Sequence, residues 1–119
     1  MMIVDELLSL IKAAPEEISF QEVITAIDNH FRYTPTRFTN GEGAMMIVNE
    51  AGCNEGPCKI FAFGLLAGLD EAQVLACFGS YYRDEVLKNP EGHDHMNIRN
   101  FVRYGWAGIH FDDQALVPK

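Results

Sequence analysis

Apolar side chains recur at helical spacing through the first thirty residues of the chain. One stripe covers residues 7–11 and stops before Pro15, which disfavours helical backbone in the residue ahead of it. A second stripe follows Ser19 and runs to Phe31, with apolar positions at i+3, i+4, i+7 and i+11 from Phe20. Glu22 lies three residues after Ser19, the spacing of a capping box. The pattern predicts two amphipathic helices.

The helical pattern disappears between residues 34 and 56. Two turn-rich stretches, 36–43 and 49–56, flank five apolar residues at 44–48 that are compatible with a short strand. A loop of this length within a compact domain is uncommon and is usually either functional or a sign that its secondary structure has been wrongly assigned. We therefore predict a long central loop and treat it as a candidate recognition segment.

Three further helices are predicted after the loop. Pro57 suits a first helical position, and the apolar helix behind it should be buried and should stop at Gly68. Asp70, with glutamine three residues on, should cap a fourth helix that ends before residues 89–92. Asp94 should cap a fifth helix that ends near residue 105.

The patterns together predict a mainly α fold, one domain over residues 1–119, with about five helices around the long central loop. We expect at most one short two-stranded β element, and residues 108–111 are read as an edge strand or a packed tail. A chain of 119 residues is long enough for one hydrophobic core and too short for two.

Charge and cysteine content narrow the possible partners. The 17 acidic residues against 9 basic ones give a net charge of -8, which argues against nucleic acid and anionic membrane surfaces as partners. Three cysteines are an odd number, which favours a reducing compartment, and no export signal is visible. The glycine-rich stretches 40–43 and 52–56 lack nucleotide-loop spacing. We expect a cytoplasmic protein without a cofactor, whose oligomeric state the sequence leaves open.

Cys58 is a candidate nucleophile because it falls in the first turn of the third predicted helix, where a thiolate is favoured. His93 or His95 could act as its base, with Asn97 or Asn100 as the orienting group. No nucleophile signature surrounds Cys58, so we favour its reading as a small buried apolar residue.

Two sets of side chains in the sequence could bind a metal, although each also has a structural reading. A zinc site could use His93, His95, Cys53 and Cys58, but their spacing matches no zinc pattern. Oxygen ligands for Mg²⁺ or Ca²⁺ could come from Glu42, Glu50 and Glu55, but EF-hand spacing is absent. We therefore predict no metal and expect the histidines to tie their loop down by hydrogen bonds.

Polar residues on the fifth predicted helix should face the long loop. Asn97, Arg99, Asn100 and Arg103 could satisfy loop carbonyls and the carboxylates of the loop glutamates at positions 50 and 55. The same region could form a pocket for a small polar ligand or a partner's peptide. The candidate ligand-binding residues are Asn54, Glu55, His93, His95, Asn97 and Arg99.

Several sequence blocks together resemble one bacterial family, HopJ. These are FTNG at 38–41, AGCNEG at 51–56, CKIFAF at 58–63, CFGSYYR at 77–83, DHMNIRNF at 94–101 and GW at 105–106. The resemblance implies a small bacterial domain named after type III effectors, with no established catalytic residues. Pro57 stands where many relatives have serine. A helical pattern already begins by Asp5, unlike the flexible, serine-rich segments that direct type III secretion, so we expect an intracellular role.

The leading interpretation is a non-catalytic interaction or small-ligand-binding domain. Its recognition surface would combine the 34–56 loop with the start of the fifth helix, and its partner would be a protein or a small polar ligand. The alternatives are a small enzyme that uses Cys58 with His93 or His95, and a metal-binding accessory protein.

Overall fold

Five α-helices, one π-helix and five three-residue strands build the part of the chain that the computed structural model describes, residues 3–119. The α-helices are α1 (Val4–Ala13), α2 (Phe20–His30), α3 (Glu55–Ala67), α4 (Glu71–Ala76) and α5 (Met96–Tyr104), and the π-helix covers Tyr81–Val86. The strands are β1 (Phe31–Tyr33), β2 (Phe38–Asn40), β3 (Ile47–Asn49), β4 (Ile109–Phe111) and β5 (Leu116–Pro118). None of the helices in this range is both long and apolar enough to cross a membrane.

The first two predicted helices are confirmed as α1 and α2. Pro15 opens a short 3-10 turn directly after α1, as expected from its effect on the preceding residue. The Ser19 side chain accepts a hydrogen bond from the Glu22 amide at 3.1 Å and so caps α2. Both helices bury one apolar face, which includes Leu7, Val23 and Ile27.

The predicted buried central helix is α3, and it stops at Gly68 in the left-handed conformation, φ 67°. Its start is different from the prediction, since the helix begins at Glu55 and not at Pro57. Phe61 is the centre of the core and is fully buried. Four aromatic rings lie within 6.4 Å of the Phe61 ring, centroid to centroid: Phe38, Phe78, Phe101 and Trp106.

The fourth predicted helix is divided into two parts. Asp70 and Gln73 form the expected reciprocal capping box, but α4 ends at Ala76 and the π-helix follows at Tyr81. Gly79 lies at the break with φ 61°, and a Cβ on it would lie 2.7 Å from the Phe20 backbone nitrogen. A continuous helix was therefore the wrong prediction, because the start of α2 packs directly on this glycine.

Two small antiparallel sheets replace the single β element that was expected. β1 pairs with β5, and β2 lies between β3 and β4 in a three-stranded sheet. The strand expected at 44–48 begins only at Ile47, after a 3-10 turn at Gly43–Met45, and β2 falls in a stretch read as turns. β4 confirms the edge strand expected within 108–111.

The fold is therefore one helix-rich compact domain with small antiparallel sheets, and the mainly α class was too narrow. Strands of three residues are too short to show a period of two in the sequence. Their pairing joins distant parts of the chain, as in the register of Phe38 with Asn49 and with Phe111. Only the folded chain supplies those partners.

Candidate functional site

A cavity of about 460 Å³ lies where the starts of α2, α3 and α5 meet the π-helix. Its wall is mostly apolar and is formed by Phe20, Ile47, Pro57, Phe78, Tyr81, Met96 and Ile98. Three polar residues, Asn54, His95 and Asn97, complete the lining. The structure thus brings three of the six candidate ligand-binding residues to one concave site.

Asn54 and His95 share an unusual backbone conformation. They are the non-glycine residues with positive φ in the described range, 52° and 51°, and they immediately precede α3 and α5. Neither helix receives a hydrogen bond from the side chain at its N-cap. Left-handed backbone is uncommon outside glycine, although Asn and His are among the residues that tolerate it best.

The prediction that Asp94 caps α5 is wrong, because its side chain does not hydrogen-bond to the start of the helix. Its carboxylate lies 2.6 Å from Arg99 Nη2, and this hydrogen bond holds the pKa of Asp94 below its usual value. The actual N-cap residue, His95, places its Nε2 atom 2.9 Å from Glu85 Oε1 and 3.8 Å from Asp94 Oδ2. The His95 ring also packs on Tyr81, with centroids 5.2 Å apart.

A network of asparagine side chains supports the cavity from behind. Asn97 accepts hydrogen bonds from Asn40 at 3.0 Å and Asn49 at 3.1 Å, and it donates one to Asn49 at 2.9 Å. Asn54 donates to Asn49 at 2.7 Å, which ties the start of α3 to β3. Asn100 donates to the carbonyls of Asn40 and Met45. Polar residues of α5 therefore do satisfy the loop, as predicted.

Arg99 contacts a different segment from the one predicted. It donates to the carbonyls of Asn89 at 2.6 Å and of Glu85 at 3.3 Å, in addition to its contacts with Asp94. Glu50 instead lies 3.5 Å from Arg37 on the surface. Arg99 thus holds the 85–94 segment in place, and the contacts of α5 with the long loop are made by asparagines.

The other proposed ligand-binding residues lie outside the cavity lining. Glu55 is exposed in the first turn of α3, and His93 is exposed in a surface groove formed by residues 88–94. Arg99 borders a second cavity of about 290 Å³ on the far side of Met96.

Cys58 lies in the core and not beside a histidine. Only 1% of the residue is exposed, and its thiol donates to the Thr36 carbonyl at 3.6 Å. Burial raises the pKa of Cys58, and this effect outweighs the nearby Lys59 ammonium. The imidazole of His95 is engaged by Glu85 instead. This environment is that of a small buried side chain.

Neither predicted metal-ligand set is brought together. Within residues 3–119, the group of His, Cys, Asp and Glu side chains whose ligand atoms converge is Glu85, Asp94 and His95, all within 4.8 Å of one another. Cys53 is exposed in the loop before α3 and belongs to no such group.

Comparison with known proteins identifies the family and a similar fold. Residues 4–116 match the family model described as HopJ type III effector protein. The chain belongs to the HopJ family. The crystal structure of a protein of unknown function, VPA0580, is similar to this HopJ domain at 46% identity and a TM-score of 0.94, covering 99% of this chain and 95% of that one. A search of the curated proteins found no match.

Several residues of this candidate site could not be recognised from the sequence. Glu85 reads as one more charge on a helix, and Asn40 and Asn49 read as turn residues. Phe20 and Tyr81 read as ordinary members of apolar stripes. The one available signal was the polar face of α5, which showed that buried partners must exist without showing which they were.

Proposed function

We propose that this HopJ domain is a non-catalytic binding protein that takes a small organic ligand, with an apolar body and a polar end, into the 460 Å³ cavity. The observation that carries the proposal is the lining of that cavity. An apolar wall with a few convergent polar groups, in a volume of roughly 300–1,000 Å³, is typical of small-molecule sites.

The polar groups are fixed before a ligand arrives. Asn97 is buried and held by the asparagine network, and Asn54 is tied to Asn49. His95 is held on one side by Glu85 and on the other by the Tyr81 ring. Fixed side chains lose little conformational freedom on binding, so the arrangement favours recognition of a polar end.

The state of Cys58 supports a binding role over covalent catalysis. A nucleophilic cysteine needs thiolate character and access, and burial denies Cys58 both. A partner protein remains the competing occupant of the site. The concave shape and mostly apolar wall favour a small molecule, because protein interfaces of comparable strength need a far larger contact area.

The test uses two tryptophan variants in the same strand. Ile47 lines the cavity, so Ile47→Trp should fill it, whereas Val48 is 43% exposed on the opposite face of β3 and Val48→Trp serves as the matched control. Phenylacetate, phenylacetamide and 2-phenylethanol are suitable probes, since they share a ring and differ in the polar end. Their binding is followed by two-dimensional amide NMR of labelled protein.

At least one probe should shift the amide signals of residues 54 and 95–98 saturably in the wild type and in Val48→Trp, and these shifts should disappear in Ile47→Trp. Absence of saturable shifts for all three probes, or shifts that persist in Ile47→Trp, would contradict the proposal that this cavity binds a small ligand.

A further inference from the structure

A second chemical feature lies at the rim of the cavity, in the cluster of Glu85, Asp94 and His95. The three ligating atoms are an imidazole nitrogen and two carboxylate oxygens. His95 Nε2 lies 2.9 Å from Glu85 Oε1 and 3.8 Å from Asp94 Oδ2. Ligand atoms around an ion with bonds of about 2.1 Å lie about 3–3.5 Å apart, so small side-chain movements would place all three on one ion.

Arg99 positions both carboxylate-bearing segments. Its guanidinium binds the Asp94 Oδ1 atom at 2.6 Å, which leaves Oδ2 on the side that faces His95. The same guanidinium donates to the Glu85 carbonyl at 3.3 Å and to the Asn89 carbonyl at 2.6 Å. Such outer contacts orient ligands in known metal sites. Arg99 thus holds the Asp94 carboxylate and the backbone of the segment that carries Glu85.

The cluster adjoins the cavity through His95. His95 belongs to both, since its side chain completes the triad and lines the 460 Å³ space. Glu85 comes from the π-helix, a rare form of helix that is frequent at functional sites. Three protein ligands leave at least one coordination position of a tetrahedral or larger shell for another molecule.

We propose that Glu85, Asp94 and His95 bind a divalent first-row transition ion, with its open coordination position directed towards the cavity. One nitrogen and two oxygen ligands suit ions such as Co²⁺, Zn²⁺ or Mn²⁺ and do not suit the oxygen-only shell that Ca²⁺ prefers. The site includes no thiolate and differs in two of three ligands from any set suggested by the sequence. It does not depend on the proposed small-ligand function.

The test uses Co²⁺ as the probe, with protein that carries no affinity tag. Titration should give one Co²⁺ per chain, and the visible absorption should show nitrogen and oxygen ligands without a thiolate charge-transfer band. His95→Asn and Glu85→Gln should each weaken Co²⁺ binding at least about tenfold. Asparagine at 95 still tolerates the left-handed backbone, so the fold should be retained, as checked by circular dichroism.

Two neighbouring residues provide matched controls. His93 and Asp84 are exposed and lie outside the triad, so His93→Asn and Asp84→Asn should leave Co²⁺ affinity unchanged. No saturable Co²⁺ binding, a thiolate band, or full binding by His95→Asn would overturn the proposal. Ile47→Trp keeps the triad, so loss of probe binding in that variant with Co²⁺ binding intact separates this site from the small-ligand site.

Discussion

Four of the helix starts in this domain form two contrasting pairs. α2 and α4 begin with side-chain caps, Ser19 on the Glu22 amide and the reciprocal pair of Asp70 and Gln73. α3 and α5 begin after left-handed residues, Asn54 and His95, whose side chains cap nothing. Asn54 and His95 instead reach β3 and the π-helix, and both line the 460 Å³ cavity.

The comparison shows that some helix starts are determined by neighbouring residues in the sequence and others by contacts with distant parts of the fold. A capped start is stabilised by two residues three positions apart, so it is present in the sequence itself. An uncapped start leaves backbone N–H groups for water or a ligand and depends on contacts with distant elements. Side chains released from capping are available for function, and in this domain they gather at the candidate site.

The largest effect is expected from the network that supports the uncapped start of α5. Asn97→Ala removes the acceptor of the Asn49 amide and one acceptor of the Asn40 amide in the interior. Leaving such a group unsatisfied should lower the free energy of unfolding by about 2–3 kcal/mol. Urea denaturation measures the loss, and Asn29→Ala, at an exposed position of α2, is the control. Equal loss in both variants would show that the network contributes nothing.

Thiol reactivity tests whether the uncapped start of α3 activates the cysteine in its first turn. Cys53 is exposed, whereas burial raises the pKa of Cys58 and raises that of Cys77 to about 12. Cys53 should therefore react with a disulfide reagent at neutral pH at least about tenfold faster than the other two, which must wait for local opening. Mass spectrometry after brief labelling identifies the site. Selective labelling of Cys58 would restore the nucleophile hypothesis.

What could be predicted from the sequence follows the same division. The caps at Ser19 and Asp70, the stop at Pro15 and the left-handed Gly68 were all correct, because each depends on neighbours within four residues. The role of the polar face of α5 was also foreseen, since buried polar groups need partners.

The errors arise where distant elements decide the conformation. The break at Gly79 is imposed by the start of α2, and Glu85 meets His95 only because the chain turns back between them. Aspartate is a residue type that commonly caps helices, but the Asp94 carboxylate accepts a hydrogen bond from Arg99 instead. No spacing rule along the chain contains these contacts, so seven of the ten residues that line the cavity were found only in the folded structure.

Matched substitutions at one start of each kind should give smaller effects. Asp70→Ala removes the acceptor of the Gln73 amide, keeps the bond from the residue-70 amide to the Gln73 side chain, and should cost about 1 kcal/mol. At the uncapped start, Asn54→Ala and Asn54→Gly lose the same hydrogen bond to Asn49 and differ in tolerance of φ 52°. The free energy of unfolding from urea denaturation should therefore be about 1 kcal/mol lower for Asn54→Ala than for Asn54→Gly. Equal stability would mean that the left-handed backbone is not retained.

The smallest effect at neutral pH should come from Tyr33→Phe beside the first turn of α3. Within residues 3–119 the Tyr33 hydroxyl is buried and makes no hydrogen bond, so its removal loses no interaction and should not lower the free energy of unfolding at neutral pH. Burial raises the pKa of the Tyr33 phenol above its ordinary value of 10.0, which means that the unfolded chain ionises first. The contribution of Tyr33 to stability is complete below that pH and is lost as the pH rises through the folded pKa. The free energy of unfolding should decrease less steeply between neutral and alkaline pH for Tyr33→Phe than for the wild type. Equal slopes would show that the phenol is not desolvated.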